Sequence, residues 1–462
     1  MFSNKKSDAL LAKIRNGNPM TGREKLNLII GLSIPSMLAQ ITSVMMFFID
    51  AAMVGHLGAE ASASIGIIES TTWLMGSMLG ALSTGFSVQV AHFIGANDFF
   101  KARQVLRHAL ICGLIFSLLM MSIGISIHSR LPYWLGGGSD IAGNSSAYFL
   151  IYSFALPFLL LYFMSSAMLK SSGNMKIPSI LSVVMCLLDV VFNYIFIYIL
   201  KLGVAGAALG TLMAYVVTVL PMVWQATCKS KILALHLDKV KFYWNWGYVR
   251  NAAKISGPIA LQAMLMSGAQ VISTMIVAPL GNIAIAANSF AITVESLCYM
   301  PGYGIGDAAS TLVGQTFGAG RKDLCKSFAH MTVGLGMTVM AFMGIIMYIF
   351  APEMMSILSS VSSIQNLGVQ CLRIEAFAEP FFAASIVTYS VCVGAGDTIK
   401  PVLINLCTMW CIRLTMAYAL ASRYGLKGVW FAMATELTAR GILFLIRLMR
   451  GKWLNRPAIK HV

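Results

Sequence analysis

Charge is what this sequence has least of. Only 11% of its 462 residues are Asp, Glu, Lys or Arg, against about a quarter in an ordinary soluble domain, so the chain cannot clothe a water-facing surface of this size. No C-x-x-C pair occurs. The nine Cys, among them Cys112, Cys186, Cys298, Cys407 and Cys411, lie mostly within apolar runs and read as small apolar fillers rather than metal or disulfide partners. The seven His show no metal-ligand spacing, and no compact His, Ser or Cys group with a base and an oxyanion donor appears, which argues against a membrane-embedded enzyme. Strand-like alternation is absent, excluding a porin-like barrel. Residues 1–25 are polar without an apolar h-region, so no cleaved signal peptide is expected.

What is present is apolar length. Hydrophobic residues make up 58% of the chain, with thirty-one Met. The runs Leu26 to Val54, Ser62 to Ile94, Val105 to Ile127, Ala147 to Leu169, Ile177 to Leu200, Val204 to Ala226 and six similar ones after Ala252 each reach the roughly 20 residues that a helix needs to cross hydrocarbon. The expectation is an all-α polytopic membrane protein of twelve transmembrane helices. With the N-terminus inside, 26 of the 33 Lys and Arg fall on that side and four on the other. The positive-inside rule then puts both termini in the cytoplasm of a cell (inner) membrane protein. The formal charge of +16 is thus mostly topology, and membrane lipids rather than nucleic acid are the expected surroundings.

The chain also repeats itself. Pro35 and Gly58 recur as Pro258 and Gly281; Val90, Gly95 and Ala96 as Val313, Gly318 and Ala319; Pro157, Gly173 and Pro178 as Pro380, Gly396 and Pro401, all 223 residues on. "FALPF" answers "FAEPF", and His92 stands where the second copy has Gln315, a loop-end contact. Six spans per copy is an even number, so both copies sit the same way up, as two six-helix bundles related by a pseudo-two-fold axis along the membrane normal. Expected boundaries are a tail at 1–25, a first lobe at 26–226, a cytoplasmic linker at 227–250, a second lobe at 251–449 and a tail at 450–462. Two like bundles meeting across a seam is the build of an alternating-access carrier, expected to work as a monomer on small-molecule substrates.

The phrases "DAAMVGHLG", "VGQTFGAGR", "SSGNMKIP", "NYIFIY", "GVAGAALGT", "VGAGDTIKP", "MWCIRL" and "RLMRGKW" together resemble the multidrug and toxic compound extrusion (MATE) transporters over nearly the whole chain, closer to the DinF-like side than to the NorM-like side. The resemblance implies a two-lobed secondary antiporter that exports organic cations in exchange for protons or sodium ions, with no cofactor beyond that coupling ion. A rival is the lipid-linked oligosaccharide flippase of the same superfamily. It would want basic residues in its cavity for a pyrophosphate, and the spans offer chiefly Arg413 and Arg440 against six or more acids.

Acids inside spans are the candidate chemistry. An isolated carboxylate at mid-membrane costs about 2.5 to 3.5 kcal/mol on insertion scales, so it needs a partner, a cavity or a task. Asp189 and Asn193, four apart, share one helix face. Counted at about 1.5 Å per residue from the outer span ends, Asp50, Asn193, Thr211 and Asp189 lie about 6 to 16 Å deep, one polar layer from spans one, five and six. Two carboxylates, an amide and a hydroxyl suit a hard cation such as sodium, or a shared proton. In relatives this lobe carries the first-span Asp, an Asn followed four residues later by Asp, and a Thr. Asp50 and Thr211 match, whereas Asp189 and Asn193 match with residue types exchanged, and a tyrosine often found a turn before the first Asp is Met46.

The second copy lacks this set. Asp50 maps to Ser273, Asp189 to Ile412 and Asn193 to Met416, and the glutamate that NorM-like relatives carry on the seventh span is Met266. Glu375 and Glu379, four apart on the tenth span, are expected to face one way, lining an acidic, Met-rich substrate cavity or else pairing with Arg373 or Arg413. Glu69, Glu295 and Asp307 are further cavity candidates, with helix-to-helix hydrogen bonding the alternative. Glu436 and Arg440 are expected to neutralise each other. Pro35 removes a backbone hydrogen bond and so permits a gating bend near Asp50.

Overall fold

Apolar runs in hydrocarbon must satisfy their own backbone, and helices do this within one segment. The computed structural model describes residues 4–238 and 242–455, and its regular elements are helical. In the first copy they are α1 (Asn4–Arg15), α2 (Gly22–Gly55), α3 (Ala59–Gly95), α4 (Phe99–Ile127), the short α5 (Leu131–Trp134), α6 (Ser139–Ser171), α7 (Lys176–Asn193) and α8 (Gly203–Trp224). The second copy holds α9 (Trp246–Val277), α10 (Asn282–Gly318), α11 (Lys322–Leu358), α12 (Ser362–Glu375), α13 (Glu379–Gly394), α14 (Ile399–Cys407), α15 (Thr415–Tyr424) and α16 (Leu426–Arg450). Among the described residues eleven helical stretches are long and apolar enough to cross a membrane, and α12 with α13, bent by 59°, completes twelve. Wide turns of π-helix extend α7 over Tyr194–Ile199 and fill the fifth span of the second copy over Thr408–Leu414.

The chain divides into two compact units whose borders fall inside helices. Among the described residues one is Thr42–Ala260; the other joins the residues up to Ile41 to residues 261–455. These borders lie in α2 and α9, shortly after the repeat-related Pro35 and Pro258. In the first unit α6 packs on α3, α4 and α8 around Phe86, Phe149, Leu156 and Met164. The linker is laid onto the same unit: Arg103 donates to Asp238 at 2.6 Å, and the backbone N–H of Asn245 donates to Nε2 of the buried His108 at 2.9 Å. Residues 239–241 of the linker and 456–462 of the expected tail lie outside the described residues.

In the other unit the expected polar tail is largely the helix α1, with Leu11 and Ile14 buried. Arg321 donates to the carbonyls of Lys13 at 3.1 Å and Asn18 at 2.8 Å, satisfying groups that a helix end leaves open. α2 runs unbroken through Pro35. Beside it Ser36 and Gln40 donate to one oxygen of Asp307 at 2.7 and 3.2 Å, and Gly304 lets α10 approach so closely that a Cβ there would stand 2.5 Å from the Cα of Met37.

Candidate functional site

Four polar side chains do meet in the first unit. Asp50 comes from the last turns of α2, Asp189 and Asn193 from one face of α7, and Thr211 from α8. The Asn193 amide donates to Asp50 Oδ1 at 2.8 Å and to Asp189 Oδ2 at 3.0 Å. Asp189 interacts with both the Asp50 carboxyl and the Thr211 hydroxyl. Asp189 and Asn193 are fully buried, whereas Asp50 is half-buried and gives the group its access.

The local sequence explains the approach. A Cβ on Gly210 would overlap Asn193 Oδ1 and stand 2.8 Å from the Asn193 backbone nitrogen, so only glycine lets α8 bring Thr211 against α7. The π-helical stretch begins directly after Asn193, and Tyr198 on it donates to the carbonyl of Met53 at 2.9 Å, holding the end of α2 against the fifth span. Asn193 turns its two hydrogens toward the carboxylates, while its Oδ1 and Asp189 Oδ1 have no hydrogen-bond partner among the described residues. In this pose the group stabilises anionic oxygens or one shared proton. Presenting the amide oxygen to a sodium ion takes half a turn of the Asn193 side chain.

Two tyrosines absent from the expected set surround it. Tyr148 on α6 and Tyr215 on α8 lie within electrostatic range of both carboxylates. A signal existed for each: Tyr215 follows Thr211 by one turn, and Tyr148 and Tyr152 are paired one turn apart in an otherwise apolar span.

The acids of the other unit behave differently. Glu375 and Glu379 were expected on one continuous face, but the chain leaves the helix at Ala376 and re-enters it at Glu379, so the i, i+4 geometry does not hold. Pro380, in the first turn of α13, starts a helix well and continues one badly. Both carboxyl groups are fully buried, and none of their four oxygens has a hydrogen-bond partner among the described residues. Glu375 lies within electrostatic range of Glu295, Glu379, Glu436 and Arg413. Neither expected ion pair forms. Arg373 lies over the Tyr348 ring and donates to the Tyr348 carbonyl, while Arg413 donates to the Met433 sulfur.

Glu436 and Arg440 pair at 2.5 Å. Asp307 is an anchor for α2, and Glu295 is buried on α10. Met340, Met347 and Met355 are fully buried packing on α11 rather than lining for a cavity. Met266 packs beside Ala269 and Met409, an apolar contact where an acid would mark a second ion site. Glu69 alone of these acids is exposed, on α3.

Comparisons with known proteins agree with the repeat. The family model MatE matches residues 35–195 and again 258–419. The "Probable multidrug resistance protein NorM" of Thermotoga maritima is 24% identical over 444 residues, covering 93% of this chain and 94% of that protein. The "Multidrug resistance protein MdtK" of Yersinia pestis is 21% identical over 439 residues, covering 93% and 95%. Among solved structures, one of MATE in complex with MaL6 superimposes with a TM-score of 0.89 at 21% identity, covering 97% of this chain and 99% of that one. A MOP superfamily transporter from Pyrococcus furiosus gives 0.89 at 20% identity, covering 99% and 100%.

Proposed function

Because the chain belongs to the MatE family, we propose that it is a secondary active multidrug efflux antiporter, exporting organic cations in exchange for protons or sodium ions. It is a carrier and not an enzyme. The observation that carries the coupling role is the convergence of Asp50, Asp189, Asn193 and Thr211, two carboxylates bridged by one amide with a half-open edge at Asp50. A bound cation or proton removes the repulsion between the carboxylates, and its departure restores it. Two states of the protein that differ in how well they hold this ligand are driven one into the other by the ion gradient. Uphill export needs only that substrate favour the opposite state.

The charge asymmetry of the loops supports an inner-membrane protein with both termini in the cytoplasm. Apolar packing at Met266 supports the DinF-like side of the family, since the second-copy ion site of NorM-like members has no acid here. The flippase reading is weaker, because Arg440 is neutralised by Glu436 and Arg413 is held among buried acids.

The experiment is dye accumulation in everted membrane vesicles under an imposed pH gradient or an imposed sodium gradient. One of the two should drive accumulation that collapses with the matching ionophore. Accumulation that ignores both gradients overturns antiport.

A further inference from the structure

The exposed face of α3 is unlike that of its neighbour. Along α4 the exposed positions are the large apolar Ile111, Leu114, Ile115, Leu118, Leu119 and Ile123, the surface that hydrocarbon tails demand, with Ser122 and Ser126 turning their hydroxyls back to their own helix near its end. Along α3 they are Glu60, Ser62, Ala63, Gly66, Glu69, Ser70, Trp73 and Ser77, mostly small or polar. Glu69 lies ten residues past the helix start at Ala59, ~15 Å along the axis of a helix long and apolar enough to cross a membrane. Its carboxylate has no ion-pair or hydrogen-bond partner among the described residues. An unpaired, exposed carboxylate on a spanning helix is costly against hydrocarbon and favours a face turned to water or a polar cavity.

Two large aromatic rings stand on this face. Trp73, one turn from Glu69, stacks on Phe47 of α2 with ring centroids 5.1 Å apart and planes 24° from parallel, and each is 54% exposed. Phe47 in turn is one turn before Asp50. The hydrophobic effect would bury such a pair unless something else used it. The outcome is a flat, exposed aromatic platform with the Glu69 carboxylate one turn from Trp73 and the half-buried Asp50 one turn from Phe47.

We infer that the Phe47–Trp73 platform with Glu69 is a binding subsite for planar aromatic cations. The flat ring system of the ligand stacks on the outer face of Trp73, whose π-system also attracts the charge, and Glu69 neutralises it. Phe47 supports the Trp73 ring from behind. Stacking favours flat ligands, whereas the carboxylate attracts any cation, so shape preference and charge preference reside on different residues. This subsite deepens the transport reading and rests on it.

Direct binding to purified protein in detergent tests it without any gradient. Ethidium serves as the planar probe and tetrabutylammonium as the aliphatic one, both titrated by calorimetry. Trp73→Leu, which fills the space without a ring, should weaken ethidium about tenfold or more and leave tetrabutylammonium within about twofold. Trp73→Phe should recover most of the ethidium affinity, and Phe47→Leu should fall between. Glu69→Gln should weaken both cations. Thermal unfolding of each variant near the parent value shows that the fold is kept. Unchanged ethidium affinity in Trp73→Leu, or equal losses for both probes, overturns the subsite. Ring-dependent ethidium binding by a chain that exports nothing would overturn the antiport reading alone.

Discussion

Pro157 and Pro380 occupy equivalent places in the two copies, yet α6 continues straight through the first while the tenth span breaks at the second, bending by 59°. Proline removes one hydrogen bond and clashes with a carbonyl one turn back, which permits a break without requiring one. The two copies have used that freedom differently. The first keeps its spans whole and gathers Asp50, Asp189, Asn193 and Thr211 into a bridged set with an open edge. The second breaks a span between Glu375 and Glu379 and encloses both. A group that exchanges an ion must be reachable, and of the two sets it is the first that has a half-buried member, Asp50, while Glu375 and Glu379 are enclosed.

The largest expected effect tests that contrast directly. Asp189→Asn and Asp50→Asn should each reduce gradient-driven dye export to the background of vesicles lacking the protein, with normal amounts in the membrane, because removing a buried charge lowers insertion cost. Full export by both variants would erase the distinction between the units. Combining Asp189→Asn with Asn193→Asp restores the residue order usual in relatives and keeps the charge count. It should transport better than either single change; a double variant as inactive as Asp189→Asn means that position 189 has its own geometric duty.

Next in size is the ion pair of the second copy. Arg440→Met leaves Glu436 charged and enclosed and should destabilise the protein by about 3 to 5 kcal/mol, whereas Glu436→Gln with Arg440→Met should recover most of it. Thermal unfolding in detergent reads both. If the single change is harmless, Glu436 is not held as an ionised partner.

Gly210→Ala should cost about 1 to 3 kcal/mol through overpacking against Asn193 and weaken coupling along with stability. Gly257→Ala, where a Cβ meets nothing within 4 Å, is the control and should be close to neutral. Equal effects at the two glycines would remove the close approach of α7 and α8 from the account.

The smallest effect sharpens the comparison of access. A water-soluble carbodiimide with an amine, followed by peptide mass spectrometry, should label Asp50 before Glu375 or Glu379, because Asp50 is half-buried and the glutamates are enclosed. The reverse order would make the broken span the accessible site.

Much of this protein follows from composition and pattern. Apolar runs of spanning length dictate helices, since no other open structure satisfies its backbone in hydrocarbon. A fixed repeat offset dictates a duplication, and the matched segments 35–195 and 258–419 bear it out. Depth along each span brought Asp50, Asp189, Asn193 and Thr211 to one layer, because rise per residue is a property of the helix itself. Rotation of one helix against another is not, and neither is the yielding of a strained span. Whether Glu375 and Glu379 share a face depended on a break that Pro380 allowed and packing decided. Whether Asp307 faced a cavity depended on Ser36 and Gln40 of a helix 267 or more residues away in the chain. That Phe47 would stack on Trp73 depended on the angle at which α2 passes α3. Local sequence sets the period of a helix; only side chains from distant segments, filling space together, set which of its faces meets water, lipid or protein.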